Sequence, residues 1–374
     1  MTKLEELIIH RIQETGPISI ATYMQECLLH PSLGFYNQKD VLGPDGSFIT
    51  SPEISQMFGE ILGLCLAQYW IDLNRPDRFA LVEFGPGKAT LMLDILRAGS
   101  SVKGFIEAAE IFLVEASSKL RSEQKTKLSK FNVNWIDDDL LIPKIPTLFI
   151  ANEFFDALPV NQYQRKNNLW YEIQVGLKNN QLTLGLSHRP TTHPELEGRF
   201  SESMNGDIVE ISNDAIRISK SIGEIINNQG GCALIIDYGD WHSLGSTLQA
   251  LKSHKSKNIF DKPGKVDLTC HVDFEALAKN SGCAYSRLTT QGVFLERLGI
   301  SDRANQLLKN SKPKNHKSII SAHRRLTHPD EMGTLFKVLG LYARNESSPA
   351  GSVSYTHLRA HETRGNLVCR LLLE

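Results

Sequence analysis

LVEFGPGKATLMLDILR, residues Leu81–Arg97, is the stretch from which the fold can be read. The apolar run FALVEF, Phe79–Phe84, has an acid, Glu83, near its end, and Gly85-Pro86-Gly87 then turns the chain into an amphipathic run, Thr90–Ala98. That order predicts a buried strand, a tight glycine turn and a helix. Glycines at such a turn let backbone approach a ligand closely, and the helix start offers free N–H groups. A phosphate-cradling loop needs G-x-x-x-x-G-K-[ST]; position 82 is Val and Ala89 follows Lys88, so that class is excluded. The dinucleotide fingerprint is incomplete, because Thr90 stands where the third small residue belongs. The next strand's acid, Glu115, also follows Gly87 by 28 residues, against about 20 in that motif. The better fit is acid-x-G-x-G, carried by Glu83, Gly85 and Gly87.

Working outward, Ile111–Glu115 reads as a second strand, SSKLRSEQKTKLSK as a polar helix, Val133–Ile136 as a third strand and Thr147–Asn152 as a fourth. Strand–helix alternation of this kind predicts a parallel α/β sheet. Acid-x-G-x-G in that setting is the pattern of S-adenosylmethionine-dependent methyltransferases. The cofactor has no pyrophosphate, so a third glycine is unnecessary. Its methionine ammonium calls for an acid at the first strand end, Glu83. Its ribose diol can be held bidentately by Glu115. Its adenine amino group needs an acceptor after the third strand, where Asp137, Asp138 and Asp139 are all candidates. One acid at each of three successive strand tips places all three in the crevice at the carboxyl ends of the sheet.

Residues 160–210 break the alternation. QYQRKNNLWYEIQVGLKNNQLTLGL holds three strand-like runs separated by Lys166-Asn167-Asn168 and Asn179-Asn180, which predicts an inserted antiparallel β-unit. A helix over Asp214–Asn227, a fifth strand over Cys232–Asp237, a helix over Val272–Ser281 and strands over Ala284–Leu288 and Phe336–Tyr342 complete the core. At the start, Leu4, Leu7, Ile8 and Ile12 fall on one helical face. Ser51-Pro52-Glu53 predicts a hydroxyl-capped helix running to about Trp70. The expected organisation is an N-terminal helical lid over 1–75, a core over 76–159 and 208–345, an insertion over 160–207, and a non-native tail over 352–374. The tail, from Ser352, has neither helical nor strand periodicity and reads like a translated adaptor.

The formal charge is 41 − 42 = −1, which excludes a general nucleic-acid coat or polybasic membrane clamp but leaves room for a local patch. No apolar run reaches the ~18–20 residues needed to span a bilayer. Six scattered cysteines without a C-x-x-C pair read as small buried residues in a reducing compartment. A zinc site from His254, Cys270 and His271 is disfavoured, since adjacent ligands without a fourth partner fit poorly, and no metal is expected. The start, MTKLEELIIHRIQETG, lacks the features of a signal peptide. A cytoplasmic location is expected, or the mitochondrial matrix in a eukaryote.

ITSPEISQMFGE (49–60), the Leu81–Arg97 stretch, LVEASSKLRSEQ (113–124), IANEFFDALPVNQ (150–162), ALIIDYG (233–239), STLQALKSHK (246–255) and CHVDFEALA (270–278) together resemble the MidA family. The resemblance covers roughly residues 5–345. Two departures stand out: Lys88-Ala89 replaces the family's Arg-Gly, and Cys270 stands where a small residue such as Ala is usual. The family includes a mitochondrial complex I assembly factor with protein-arginine methyltransferase activity. The resemblance implies a class I methyltransferase core of seven mostly parallel strands, with an N-terminal lid and an inserted β-unit. It implies S-adenosyl-L-methionine as cofactor and a protein substrate, a complex I subunit. The alternative is a non-catalytic assembly factor that keeps the cofactor fold.

The fourth strand runs into Asn152-Glu153-Phe154-Phe155-Asp156, the point that faces the transferred methyl group in this fold. Arginine methylation needs carboxylates to orient a planar guanidinium, and Glu153 and Asp156 can supply them. One carboxylate, or His271, can accept the departing proton. Phe154 and Phe155 are candidates for cation–π contact. Asp237-Tyr238-Gly239 and His271-Val272-Asp273 are further cleft-edge clusters, although Asp273 also suits a helix cap. Thr50–Glu53 and Gln56 are expected to help close the N-terminal segment over the cofactor. RNA is disfavoured as a substrate by the charge balance, and an N-P-P-[YF] motif for base methylation is absent after the fourth strand.

Overall fold

The computed structural model describes residues 1–37, 50–137, 141–252 and 255–353. The chain divides into two compact units. One comprises Met1–Phe48, Asp156–Arg217 and His242–Asp273; the other comprises Ile49–Phe155, Ile218–Trp241 and the chain from Phe274 onward.

The second unit is built on an open sheet. Its strands run in the order Ala284–Tyr285, Phe336–Tyr342, Gly231–Asp240, Thr147–Asn152, Phe79–Phe84, Ala109–Val114, Val133–Ile136. The last five are parallel, and Phe336–Tyr342 is antiparallel to Gly231–Asp240. Every residue of Phe79–Phe84 and Thr147–Asn152 is buried, as expected of central strands covered on both faces. The chain leaves the sheet centre in opposite directions on either side of these two strands. That makes the crevice at their carboxyl ends the topological switch point.

Helix Gln56–Asp72 is apolar around most of its circumference and is buried from Met57 to Trp70. Each fully buried Leu, Ile or Phe contributes roughly 1.5–3 kcal/mol of transfer free energy. Gly63 lets this helix approach helix Thr90–Gly99, since a Cβ there would lie 2.8 Å from the Ile95 Cα. The expected single helix from Ser51 is two helices. Ser51–Ile54 stops at Ser55, whose extended backbone (φ −163°) breaks the run, and the Ser55 hydroxyl then accepts from Met57 N–H to cap the longer helix. The cap of the short helix is Thr50, not Ser51. Beside these helices the buried Glu60 carboxylate pairs with Arg97 at 3.2 Å and with Arg303 at 2.9 Å.

The first unit gathers the antiparallel strands Asn161–Lys166, Leu169–Lys178, Gln181–Leu186 and Ile208–Ile211. Its two hairpin turns place Asn167, Asn168, Asn179 and Asn180 at φ between 51° and 63°. Asn tolerates that left-handed region better than most residues, and it is the geometry of type I′ turns. Ile18–Ser19 adds to the edge of Leu169–Lys178. Helices Lys3–Thr15 and Ile20–Leu29 bury Leu4, Ile8, Ile12, Tyr23 and Met24 in one apolar cluster with Val175 and Leu268. The expected boundaries therefore fall differently in the structure. Residues 1–37 pack with the insertion, and the described residues of 242–273 join them, whereas Gln56–Asp72 is a core helix of the sheet unit. Leu7 was expected on the buried face of the first helix and is exposed; Ile9 is buried instead.

At the far end of the chain, Arg287 N–H donates to Val353 O at 2.8 Å and Ser352 N–H to Pro349 O at 3.1 Å. The first two residues of the expected tail thus continue the ordered chain, and 354–374 lie outside the described residues. The five described cysteines are buried and free.

Candidate active site

The site grows from the carboxyl edge of the parallel strands. Glu83, one residue before the end of its strand, is 3 % exposed, and its Oε2 has no hydrogen-bond partner among the described residues. Burial pushes its carboxyl up from the usual 4.5 to about 8; the backbone N–H of Met92 and the charge of Lys127 oppose that rise, and Glu115 adds to it. Gly85 then turns at φ +60°, and a Cβ there would lie 2.8 Å from Phe154 Cδ2. Gly87 follows at φ +51° and Ala89 at φ +55°, so the loop enters helix Thr90–Gly99 through left-handed backbone.

Glu115 follows the second strand and is also buried. Its Oε1 accepts Ser117 N–H at 2.8 Å and its Oε2 accepts Gln124 Nε2 at 3.1 Å. Burial raises its carboxyl, and those two donors oppose the rise. Gln124 Nε2 also donates to Gly87 O at 2.8 Å, which ties the glycine loop to Glu115. Arg121 donates to Glu115 O at 2.6 Å, to Ile136 O at 3.1 Å and to Asp137 Oδ1. Asp137 is thus an exposed acid after the third strand, held by Arg121. Asp138 and Asp139 lie outside the described residues, as does His254.

Glu153 follows the fourth strand at φ +53°, an uncommon conformation for a residue with a Cβ. Its N–H donates to Ile236 O at 2.9 Å. Its Oε1 accepts Ser51 N–H at 2.8 Å and Asn152 Nδ2 at 3.2 Å. Asn152 Oδ1 and Ser51 Oγ are both buried without a hydrogen-bond partner among the described residues. Asp237 is fully buried, and its Oδ2 accepts Phe155 N–H at 3.0 Å, so it fixes the turn that follows Glu153. Phe154 packs on Phe84 with ring centroids 5.4 Å apart. Glu53 accepts from the Thr90 hydroxyl, which in turn accepts from Lys127. The short helix Ser51–Ile54 is thereby held at both Glu153 and the start of the glycine-loop helix.

Orphaned buried acceptors on Glu83 and Asn152, two carboxylates raised by burial and a glycine turn make a crevice suited to a cationic ligand with hydroxyl and amino groups. Residues 61–293 match the model of an S-adenosyl-L-methionine-dependent methyltransferase family. The chain belongs to the MidA family of these methyltransferases. A zebrafish (Danio rerio) relative, protein arginine methyltransferase NDUFAF7, mitochondrial, is 36% identical over 87% of this chain and 84% of its own length. The human (Homo sapiens) protein of that name is 32% identical over 94% of this chain and 89% of its own. A Burkholderia thailandensis protein crystallised with S-adenosyl-homocysteine shares the fold, with a TM-score of 0.79 at 24% identity over 93% of this chain and 94% of that one.

This MidA-family enzyme uses S-adenosyl-L-methionine as its cofactor. The sheet unit brings Glu83, Gly85, Gly87, Glu115, Asp137 and Glu153 to one edge. It does not include Asp156 or His271, which belong to the other unit. There Asp156 is buried, and its charge adds to the rise of the buried Asp267 carboxyl, which comes mainly from desolvation. His271 is exposed, and its N–H donates to Thr247 Oγ1 at 2.8 Å. Asp273 pairs with Arg199 at 3.5 Å. Sequence reasoning missed Arg121, Gln124, Asn152 and the backbone of Ser51. Arg121 and Gln124 sit three apart on the helix after Glu115 and so share a face, which was the one available signal.

Proposed function

We propose that this methyltransferase acts on an arginine side chain of a protein, a subunit of respiratory complex I. The observation that carries the reading is Glu153, a carboxylate held in left-handed backbone at the end of the fourth strand by Ser51 N–H and Asn152. The arginine methyltransferase names of the relatives support it.

S-adenosyl-L-methionine supplies an electrophilic methyl group when bound. Glu83 takes its ammonium, Glu115 its ribose hydroxyls, and Asp137 or a neighbouring aspartate its adenine amino group. Gly85 and Gly87 keep the loop free of side-chain bulk. Glu153 orients the guanidinium through charge-assisted hydrogen bonds, aligning one nitrogen for attack. As that nitrogen gains carbon it loses a proton, which Glu153 can accept. Ser51–Ile54, fixed to Glu153 and Thr90, covers this end of the crevice. Asp156 and His271 remain candidates for substrate contact and are tested in the same series. The relatives' mitochondrial names favour the matrix over the cytoplasm as the site of action.

The test is transfer of labelled methyl from S-adenosyl-L-methionine to complex I subunits, with the modified residue read by mass spectrometry. Wild type should label arginine, and Glu153→Gln should bind cofactor without labelling. Label on another residue type would refute the arginine reading. Restored complex I assembly by Glu153→Gln would make the protein a binding platform instead.

A further inference from the structure

The enzyme's near-neutral balance hides a strong local asymmetry. Residues 303–329 contain seven Lys and Arg, three His and no acid. The rest of the chain carries 34 basic against 42 acidic residues, so 34 − 42 = −8 is set against +7 in this one segment. It forms helix Ile300–Asn310, a turn at Pro313–Asn315 and helix His316–Thr327.

Two of the seven cations are spoken for: Arg303 pairs with Glu60, and Arg324 with Glu331 at 2.9 Å. Lys309, Lys312, Lys314 and Lys317 are exposed and form no ion pair among the described residues. In helix His316–Thr327, Leu326 is the buried side chain. The opposite face carries Lys317, Ile320, Ser321 and Arg324, spaced three and four apart and all exposed. Ile320 is 56 % exposed, an isoleucine standing in water among cations.

We infer that this face docks the enzyme on an anionic phospholipid bilayer. The charge is complementary to acidic headgroups, and a branched apolar side chain flanked by Lys and Arg is the pattern of a helix lying in a membrane interface. No Phe, Tyr or Trp occurs between 303 and 329 to stack on bases, which disfavours single-stranded nucleic acid. No helix among the described residues is long and apolar enough to cross a membrane, so the contact is peripheral.

The test is flotation of the purified full chain with vesicles of phosphatidylcholine alone, or with one third phosphatidylglycerol. Wild type should float only with the anionic vesicles and should be released by salt. Each cation removed should weaken binding about fivefold. Substituting Lys309, Lys312, Lys314 and Lys317 by Gln should therefore abolish flotation while leaving cofactor binding intact. Ile320→Ser, a surface change outside the active site, should weaken flotation without altering the salt dependence. No flotation of wild type, or equal flotation of wild type and the Gln variant, overturns the inference. So does retention by soluble polyglutamate with no binding to vesicles.

Discussion

Replacing Glu83 by Gln should make the empty enzyme more stable and useless for binding its cofactor. Burial raises this carboxyl from 4.5 to about 8. A raised carboxyl contributes stability below its unfolded value and loses that contribution as pH climbs through the folded one. At about 1.4 kcal/mol per pH unit, the loss at pH 7 is roughly 3 kcal/mol, and it levels off near 5 kcal/mol above about pH 8. Gln has a similar shape, can still accept Met92 N–H and does not titrate. The Glu83→Gln protein should therefore melt above wild type by roughly 4 °C at neutral pH, with the gap opening from about pH 5 to pH 8. Differential scanning fluorimetry across that range reads it directly.

The same ionisation governs the ligand. Glu83 must be charged to hold an ammonium. Wild-type affinity for S-adenosyl-homocysteine should thus rise nearly tenfold per pH unit while pH stays below about 8. Calorimetry in buffers of different ionisation enthalpy should detect proton release on binding. Glu83→Gln should lose the pH slope together with the affinity. A Gln variant that melts below wild type at every pH, and binds the ligand equally well, would refute the reasoning.

Gly85→Ala should cost at least about 1 kcal/mol and block the cofactor, because its Cβ meets Phe154 at 2.8 Å in left-handed backbone; thermal shift with and without ligand checks both effects. Glu153→Gln should keep cofactor affinity and lower the methyl-transfer rate by about 10²-fold or more, read in single-turnover assays. Arg303→Met should destabilise the fold by about 1.5–3 kcal/mol, since the buried Glu60 loses its hydrogen bonds from Arg303 and keeps only Arg97; denaturant melts should show the loss, and Glu60→Gln in the same chain should recover part of it.

What was legible in the sequence was local. FALVEF, the glycine turn and the amphipathic run after it each obey a short-range rule, and the structure places the strand at Phe79–Phe84 and the helix at Thr90–Gly99. The asparagine pairs marked the hairpins because few other residues accept positive φ. Long-range partners were not legible. Nothing in the sequence of the first helices says that Leu4 and Ile8 pack with Val175, about 170 positions away, so the helices within 1–37 and those from Ser51 onward read as one segment. Gln124 is buried in a helix whose sequence is polar except for Leu120, and only the fold brings it between Gly87 and Glu115. The break at Ser55 was hidden because Ser is a common helix start and a tolerable helix residue, and the sequence cannot say which role it takes.

Two buried glutamates in the same unit show why one of them marks a ligand site. Glu60 and Glu83 are about equally hidden from water. Glu60 is met by Arg97 and Arg303, cations supplied by the chain itself, so its burial is compensated within the fold. Glu83 forms no ion pair among the described residues, keeps one oxygen without a partner and rises to about 8. An internal arginine there would have stabilised the empty protein, but it would also have filled the place of an incoming cation. Leaving the acid uncompensated makes the empty state less stable, which is the cost expected if its charge is kept for the cofactor's ammonium, as proposed above. At Glu153, Oε1 accepts from neutral donors, Ser51 N–H and Asn152 Nδ2, which fix the carboxylate at the end of the fourth strand.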